Sequence, residues 1–197
     1  MLKKEAERIT GGLSKPGKMP EGSYNIPASA CQTGQILAKV PDTPCYKCYA
    51  DDRGRYRFPI VKAALQRRLK SLTHPRWVEA MTVLVKKKKH FRWHDSGDIQ
   101  SVVHLKKIFE VCNNTPATSH WWPTQERKYL PLGSYPDNLV IRLSNAKNNT
   151  KPGKAWTHWS TVVDSGGDCQ ASKQGNVCGD CRRCWSREVK HVTYPKQ

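Results

Sequence analysis

The sequence predicts an α/β fold: a partial (β/α) barrel or an open, partly parallel sheet, with loop-rich cysteine-containing N- and C-terminal segments. Three observations predict it. Apolar residues at helical spacing alternate with short β-branched and aromatic runs through residues 58–165, the pattern of helices laid on a sheet. The chain has 197 residues, short of the roughly 250 of a complete eightfold barrel. Residues 1–57 and 166–197 hold seven of the eight cysteines and no long periodic stretch. One compact domain is expected, made of a loop-rich segment (1–57), an α/β core (58–165) and a four-cysteine segment (166–197).

The elements follow in order. In RFPIVKAALQRRLKSL, Pro59 suits a first helical turn, and Val61, Ala64, Leu65, Leu69 and Leu72 recur on one face. His74-Pro75 ends that helix and opens another, with Trp77, Val78, Met81, Leu84 and Val85 facing the core. The run Lys86–Lys89 closes it in keeping with the helix dipole. HFRWHDSGD then reads as a short strand in which Phe91 and Trp93 alternate with Arg92 and His94. Asp98 or Ser101 caps the next helix, whose core face is Val102, Leu105, Ile108, Phe109 and Cys112. Strands are expected in TSHWWPTQ, NLVIRLS and HWSTVV. Trp121 and Trp122 are adjacent in the first, so one is expected outside the core, stacking on a base or shielding a metal site.

Lys and Arg number 34 against 16 Asp and Glu, a net charge of +18. The pI is near 9.8 and the mean hydropathy −0.73. A modest core and a polyanionic partner follow, either nucleic acid or a phosphorylated small molecule. Arg53, Arg55, Arg57, Arg67, Arg68 and the Lys86–Lys89 run are candidate phosphate contacts. No stretch has the apolar length to span a bilayer and the N-terminus has no leader pattern, so a cytoplasmic location is expected.

In a reducing compartment the cysteines point to metal or catalysis rather than disulfides. Cys112 belongs to a helical core face. Cys169, Cys178, Cys181 and Cys184 form a run ending C-x2-C-x2-C, the spacing with which ferredoxin loops bring thiolates to one iron–sulfur cluster. Zinc on the four thiolates is the alternative. Cys31, Cys45 and Cys48 have no evident fourth partner, so a [4Fe-4S] cluster on them leaves one iron open. A zinc ribbon joining Cys45 and Cys48 to two late cysteines is the alternative there.

Three cysteines near the start of an α/β chain resemble the radical S-adenosylmethionine enzymes. The resemblance implies a [4Fe-4S] cluster on Cys31, Cys45 and Cys48, S-adenosylmethionine on its open iron, and an external electron donor. Reductive cleavage would give a 5'-deoxyadenosyl radical that abstracts hydrogen from a nucleic acid or nucleotide. Cys169, Cys178, Cys181 and Cys184 would hold a second cluster. The spacing C-x13-C-x2-C departs from that family's C-x3-C-x2-C, and Lys47 stands before the last cysteine where the family has an aromatic residue. The wording CYADDRGRYRFP, FRWHDSGDIQS, NLVIRLS and CGDCRRCW also resembles the gene product 88 proteins of tailed phages, which implies a phage origin and host cytoplasm.

His94, Asp95, Ser96 and Asp98 fall in the turn after a strand, where α/β sheets place ligands. The radical enzyme resemblance makes Asp95 or Asp98 the acceptor for the cofactor's ammonium, with His94 beside them. A helix cap is one alternative and a divalent-metal hydrolytic site on His94, Asp95 and Asp98 another. Thr124, Gln125, Glu126 and Ser144 follow later strands and are placed in the same cleft, against ribose hydroxyls or substrate. The contrasting function is non-enzymatic: a basic phage protein whose iron–sulfur or zinc centres are structural and which binds nucleic acid or a host complex.

Overall fold

The structure is a computed structural model and describes residues 1–196. Six strands, β1 (Ser23–Tyr24), β2 (His90–Trp93), β3 (Ser119–Thr124), β4 (Leu139–Ser144), β5 (Trp159–Val163) and β6 (His191–Pro195), form one sheet. Their spatial order is their chain order, and every neighbouring pair is parallel. A doubly wound sheet reverses direction at a switch point; this one keeps stepping the same way, as a barrel does, and stays open. The sheet is thus wholly parallel, where partial parallel pairing was expected.

Five helices accompany it: α1 (Lys3–Thr10), α2 (Gln32–Leu37), α3 (Pro59–Ser71), α4 (Trp77–Val85) and α5 (Val102–Asn113). Residues 1–57, read from sequence as ordered loops, contain α1, β1 and α2. Helix α1 buries only Ala6, Ile9 and Thr10, and β1 is two residues long. Neither is long or apolar enough to register as a periodic pattern. Strand β6 escaped for a similar reason, being five residues that end in Pro195. The later elements lie where their patterns put them. Pro59 opens α3, and Ser101 caps α5 by accepting a hydrogen bond from the His104 amide.

Both faces of the sheet are covered. On the helical face Trp77, Phe91, Trp93, Ile108, Trp122 and Ile141 share one core. On the other, Trp121 packs with Met19 and Trp185. Trp121 and Trp122 are therefore both buried, at 5% and 0% exposure; neither is the exposed ring expected from their adjacency. A two-sided parallel sheet buries consecutive side chains. Val102 lies 51% exposed; the buried face of α5 is His104, Leu105, Ile108, Val111 and Cys112 instead. No helix among the described residues is long and apolar enough to cross a membrane.

Two long connections carry seven of the eight cysteines. Residues 25–58 leave the carboxyl end of β1 and bear Cys31, Cys45 and Cys48. Residues 164–190 leave the carboxyl end of β5 and bear Cys169, Cys178, Cys181 and Cys184.

Candidate metal centre

Cys31 is the residue before α2, and Gly34 lies one turn on. A Cβ built on Gly34 would stand 2.8 Å from the Cys31 Cβ, 3.5 Å from its sulfur and 3.8 Å from the Cys45 sulfur. The missing side chain is what lets the two thiols close on the same point. Glu126, at the carboxyl end of β3, fixes the start of this helix. Its Oε1 accepts from the amides of Gln32 (2.9 Å) and Thr33 (2.7 Å), and its Oε2 from the Thr33 hydroxyl (2.7 Å). Thr43 donates to the Leu37 carbonyl and accepts from the Tyr46 amide, shaping the approach to Cys45. The Cys48 amide then returns to the Cys45 carbonyl at 3.1 Å, with Lys47 between them at φ 53°.

All eight cysteines are free thiols. Burial, then Asp98 and the neighbouring thiols, pushes the Cys31 pKa far up. Burial and Cys48 raise Cys45 to about 12, and burial raises Cys48. Thiols held this way are poor nucleophiles, since the thiolate is the reactive form. A metal reverses the balance by supplying the positive charge that three crowded thiolates need. Among the described residues no three His, Cys, Asp or Glu side chains already converge on one metal position. The three thiols are neighbours, not a formed coordination shell.

The connection is moored to the sheet through Asp95. Its Oδ2 accepts from Arg55 Nη2 and the Tyr56 hydroxyl, both at 2.8 Å. Its Oδ1 pairs with Arg92 Nη1 at 3.0 Å, and its amide donates to Asn25 Oδ1 at 2.7 Å. Tyr49, next to Cys48, donates to the Asp95 carbonyl. Although burial opposes ionisation, Arg92, Tyr56 and Arg55 hold the carboxyl below the usual aspartate range.

Asp98 is equally occupied. Its oxygens accept from the Ile99 and Gln125 amides, Trp122 Nε1 and the Thr124 hydroxyl. Burial nevertheless raises its pKa to about 6. Ser96 donates to the Ile26 carbonyl, Gln125 Nε2 to the Asn145 carbonyl, and Ser144 shares a 3.2 Å contact with Ser160. The residues read as cofactor ligands thus tie the strand ends to one another. The side-chain amide oxygen of Gln125, Oε1, is left buried without a protein partner. His94 takes φ 57° and packs edge-on against His104 of α5, 5.4 Å between ring centres. Both its ring nitrogens lack protein partners, and burial keeps it neutral. His94, Asp95 and Asp98 do not converge on one metal position among the described residues, and both carboxylates accept from protein donors.

The 164–190 connection crosses the face opposite the helices. Its chain is pinned by Arg142 of β4, which donates to the carbonyls of Arg183 (2.8 Å), Cys184 (3.0 Å) and Ser186 (3.0 Å). Trp185 donates to the Phe91 carbonyl, and the Cys178 amide to that of Lys18. The Cys181 amide bonds the Cys178 carbonyl at 3.0 Å, the same C-x2-C turn as in the first group. Cys184 lies 3.1 Å from the Tyr194 hydroxyl; burial lifts its pKa to about 11, against Tyr194, Arg142 and Arg92. Three buried donors on this face, Arg92 Nε, Arg142 Nη1 and Trp121 Nε1, have no protein acceptor. Buried N–H groups rarely go unmet, and thiolates on a metal would meet them.

Two surface hollows of about 450 and 670 Å³ lie among α1, α3, α4 and α5 and include no cysteine. The chemistry gathers instead at the carboxyl ends of the strands.

The sequence pattern of the family described as gene product 88 matches residues 1–165. The chain belongs to the gene product 88 family. The matched span contains Cys31, Cys45, Cys48 and the 94–98 turn, and it ends before Cys169. No curated protein and no solved structure matches the chain. In this gene product 88 chain, sequence reasoning passed over Gly34, Tyr49, Tyr56, Arg92 and Arg142. An arginine at an apolar strand position, as in NLVIRLS, was the available signal for the last.

Proposed function

We propose that this chain is an iron–sulfur protein of radical S-adenosylmethionine type, phage-encoded and cytoplasmic, acting on a nucleic acid or nucleotide with an external electron donor. One observation carries the reading: three desolvated, unpaired thiols sit together on the first strand's connection, at the carboxyl edge of a parallel sheet wound in one direction. Cys31, Cys45 and Cys48 would hold a [4Fe-4S] cluster, and Cys169, Cys178, Cys181 and Cys184 a second. When bound, the first cluster supplies the electron for reductive cleavage of S-adenosylmethionine.

The chain's own residues do the positioning. Glu126 holds Cys31, Asp95 with Tyr49, Tyr56 and Arg55 holds the loop around Cys48, and Asp98 fastens the 94–98 turn to β3. Gln125 offers its unpartnered side-chain oxygen, Oε1, to a cofactor donor. Arg92 and Arg142 place positive charge beside Cys184, offsetting thiolate charge.

The saturation of Asp95 and Asp98 by protein donors favours a second reading, in which the metal centres, zinc included, are structural and the protein only binds. Anaerobic purification followed by iron, sulfide and zinc analysis separates the two. The proposal expects iron and sulfide, and 5'-deoxyadenosine after dithionite and S-adenosylmethionine are added. Zinc without sulfide, or a reducible cluster that yields no 5'-deoxyadenosine, overturns it.

A further inference from the structure

The β1–α3 connection does more than carry thiols. Six of the eleven exposed large apolar side chains among the described residues lie within it or in the first turn of α3: Ile36, Val40, Tyr46, Tyr49, Phe58 and Ile60. Tyr46, Tyr49 and Phe58, at 40%, 41% and 48% exposure, are the only exposed aromatic rings among the described residues. Exposed apolar side chains gathered on one connection mark an interaction surface more readily than ones scattered singly.

Positive charge accompanies these rings. Lys47 lies 5.5 Å over Tyr46 and Arg57 5.3 Å over Phe58. Lys47, Arg53 and Arg57 form no ion pair among the described residues, whereas Arg55 is tied to Asp95 and Lys62 to Asp52. The Tyr49 ring is held through its hydroxyl at Asp95, and the Phe58 backbone is set as the residue before α3. Exposed aromatic rings beside cations that no carboxylate neutralises are the two elements a single strand needs, one for its unstacked bases and one for its phosphates. A duplex keeps its base faces stacked inside and would use only the cations.

We infer that the rim formed by Tyr46, Lys47, Arg57 and Phe58 is a docking surface for single-stranded nucleic acid, which it lays across the opening beside Cys45 and Cys48. The inference rests on the nucleic-acid part of the proposed function and narrows it to unpaired strands.

The test is anisotropy of labelled 20-nucleotide single-stranded DNA and RNA, and of the matching duplex, from 50 to 200 mM salt, using the full chain as purified and after chelation. Tighter binding of a single strand than of the duplex is expected. Tyr46→Ala with Phe58→Ala should weaken it about tenfold or more and leave duplex binding unchanged. Lys47→Glu with Arg57→Glu, which spares the rings, should weaken it and flatten the salt slope. Arg8→Ala with Arg67→Ala and Lys70→Ala removes more positive side chains, from the 670 Å³ groove by α1, and should change single-strand affinity less than either. Equal affinity for duplex and single strand, or an aromatic pair whose loss changes nothing, overturns the inference. Metal content reads separately: zinc in a protein that still prefers single strands ends the radical reading alone, and iron in a protein that does not ends this one alone.

Discussion

Tyr49 and Asp95 meet across the opening of the sheet: the hydroxyl of the residue after Cys48 donates to the main-chain carbonyl in the turn after β2. The Asp95 carboxylate, 11% exposed, simultaneously holds Arg55 and Arg92. One residue of a strand-end turn therefore sets where a cysteine loop can sit. Removing the negative charge strands two guanidinium groups, of which Arg92 is 14% exposed. Asp95→Asn should cost on the order of 3 kcal/mol in chemical denaturation and lower metal retention with it.

The pH dependence of this anchor has a definite sign. Asp95 is held below its ordinary value by Arg92, Tyr56 and Arg55, so the native state binds fewer protons than the unfolded chain. Its stabilisation is complete above the usual aspartate range, about 3.9, and is lost as pH falls through the lowered native value. Asp98 runs the other way: burial raises it to about 6, so its contribution is greatest below pH 4 and lost as pH rises through 6. Denaturation from pH 1.5 to 8 should show a loss below about pH 4 that Asp95→Asn diminishes. Retention of the full loss in the variant would place its origin elsewhere.

Glu126 is buried and accepts from two backbone amides and one hydroxyl at the start of α2. Glu126→Gln keeps one oxygen, enough for the two amides that share Oε1, whereas Glu126→Ala leaves all three donors unmet, at about 1–3 kcal/mol. Metal bound per chain should fall in the order wild type, Gln, Ala. A flat series would mean Cys31 is positioned by something other than this carboxylate.

How far the sequence could be read follows the length of each pattern. Helix α4, with Trp77, Met81, Leu84 and Val85 on one face, and β4, with its LVIRLS run, declared themselves because burial repeats along them. Strand β1 did not, since two residues carry no period, and its edge position came only from pairing with β2. The cysteines were legible as two groups because spacing is a sequence property. What holds them was not. Glu126 reaches Thr33 over most of a hundred positions, and no local pattern reports such a contact. The Asp95 and Asp98 side chains were correctly placed at strand ends, yet their oxygens turned out to be engaged by Arg92, Tyr56, Trp122 and Thr124.

Two glycines should fail in different ways. At Gly97, φ is 76° and a Cβ would come 2.8 Å from the Ile26 carbonyl oxygen. The 94–98 turn is zipped to that segment through Ser96, so Gly97→Ala should destabilise the whole fold, by about 2–3 kcal/mol from strain and lost packing. At Gly34, where φ is not positive, the nearest atoms to a new methyl belong to Cys31 and Cys45, with the Cys31 Cβ at 2.8 Å. Gly34→Ala should displace Cys31 at the start of α2, cut metal content and cost less stability than Gly97→Ala. If both variants lose stability alike, the thiol pair is no more adaptable than the turn.

Arg142 gives the corresponding test of the second cysteine group. It is fully buried in β4 and its guanidinium holds the carbonyls of Arg183, Cys184 and Ser186. Arg142→Met keeps much of the volume and removes every donor, so the carbonyls lose their partners and Cys184 loses one of its two neighbouring cations. The four-cysteine connection should detach while β1–β4 stay folded. Limited proteolysis would then cut within 164–190 well before the wild-type chain is cut, and metal bound per chain would fall by the share held on Cys169, Cys178, Cys181 and Cys184. Arg142→Lys keeps the charge but not the fork that spans three carbonyls. It should retain metal better than Met and resist proteolysis little better. A Lys variant as protected as wild type would show that charge alone, not the three hydrogen bonds, secures this connection.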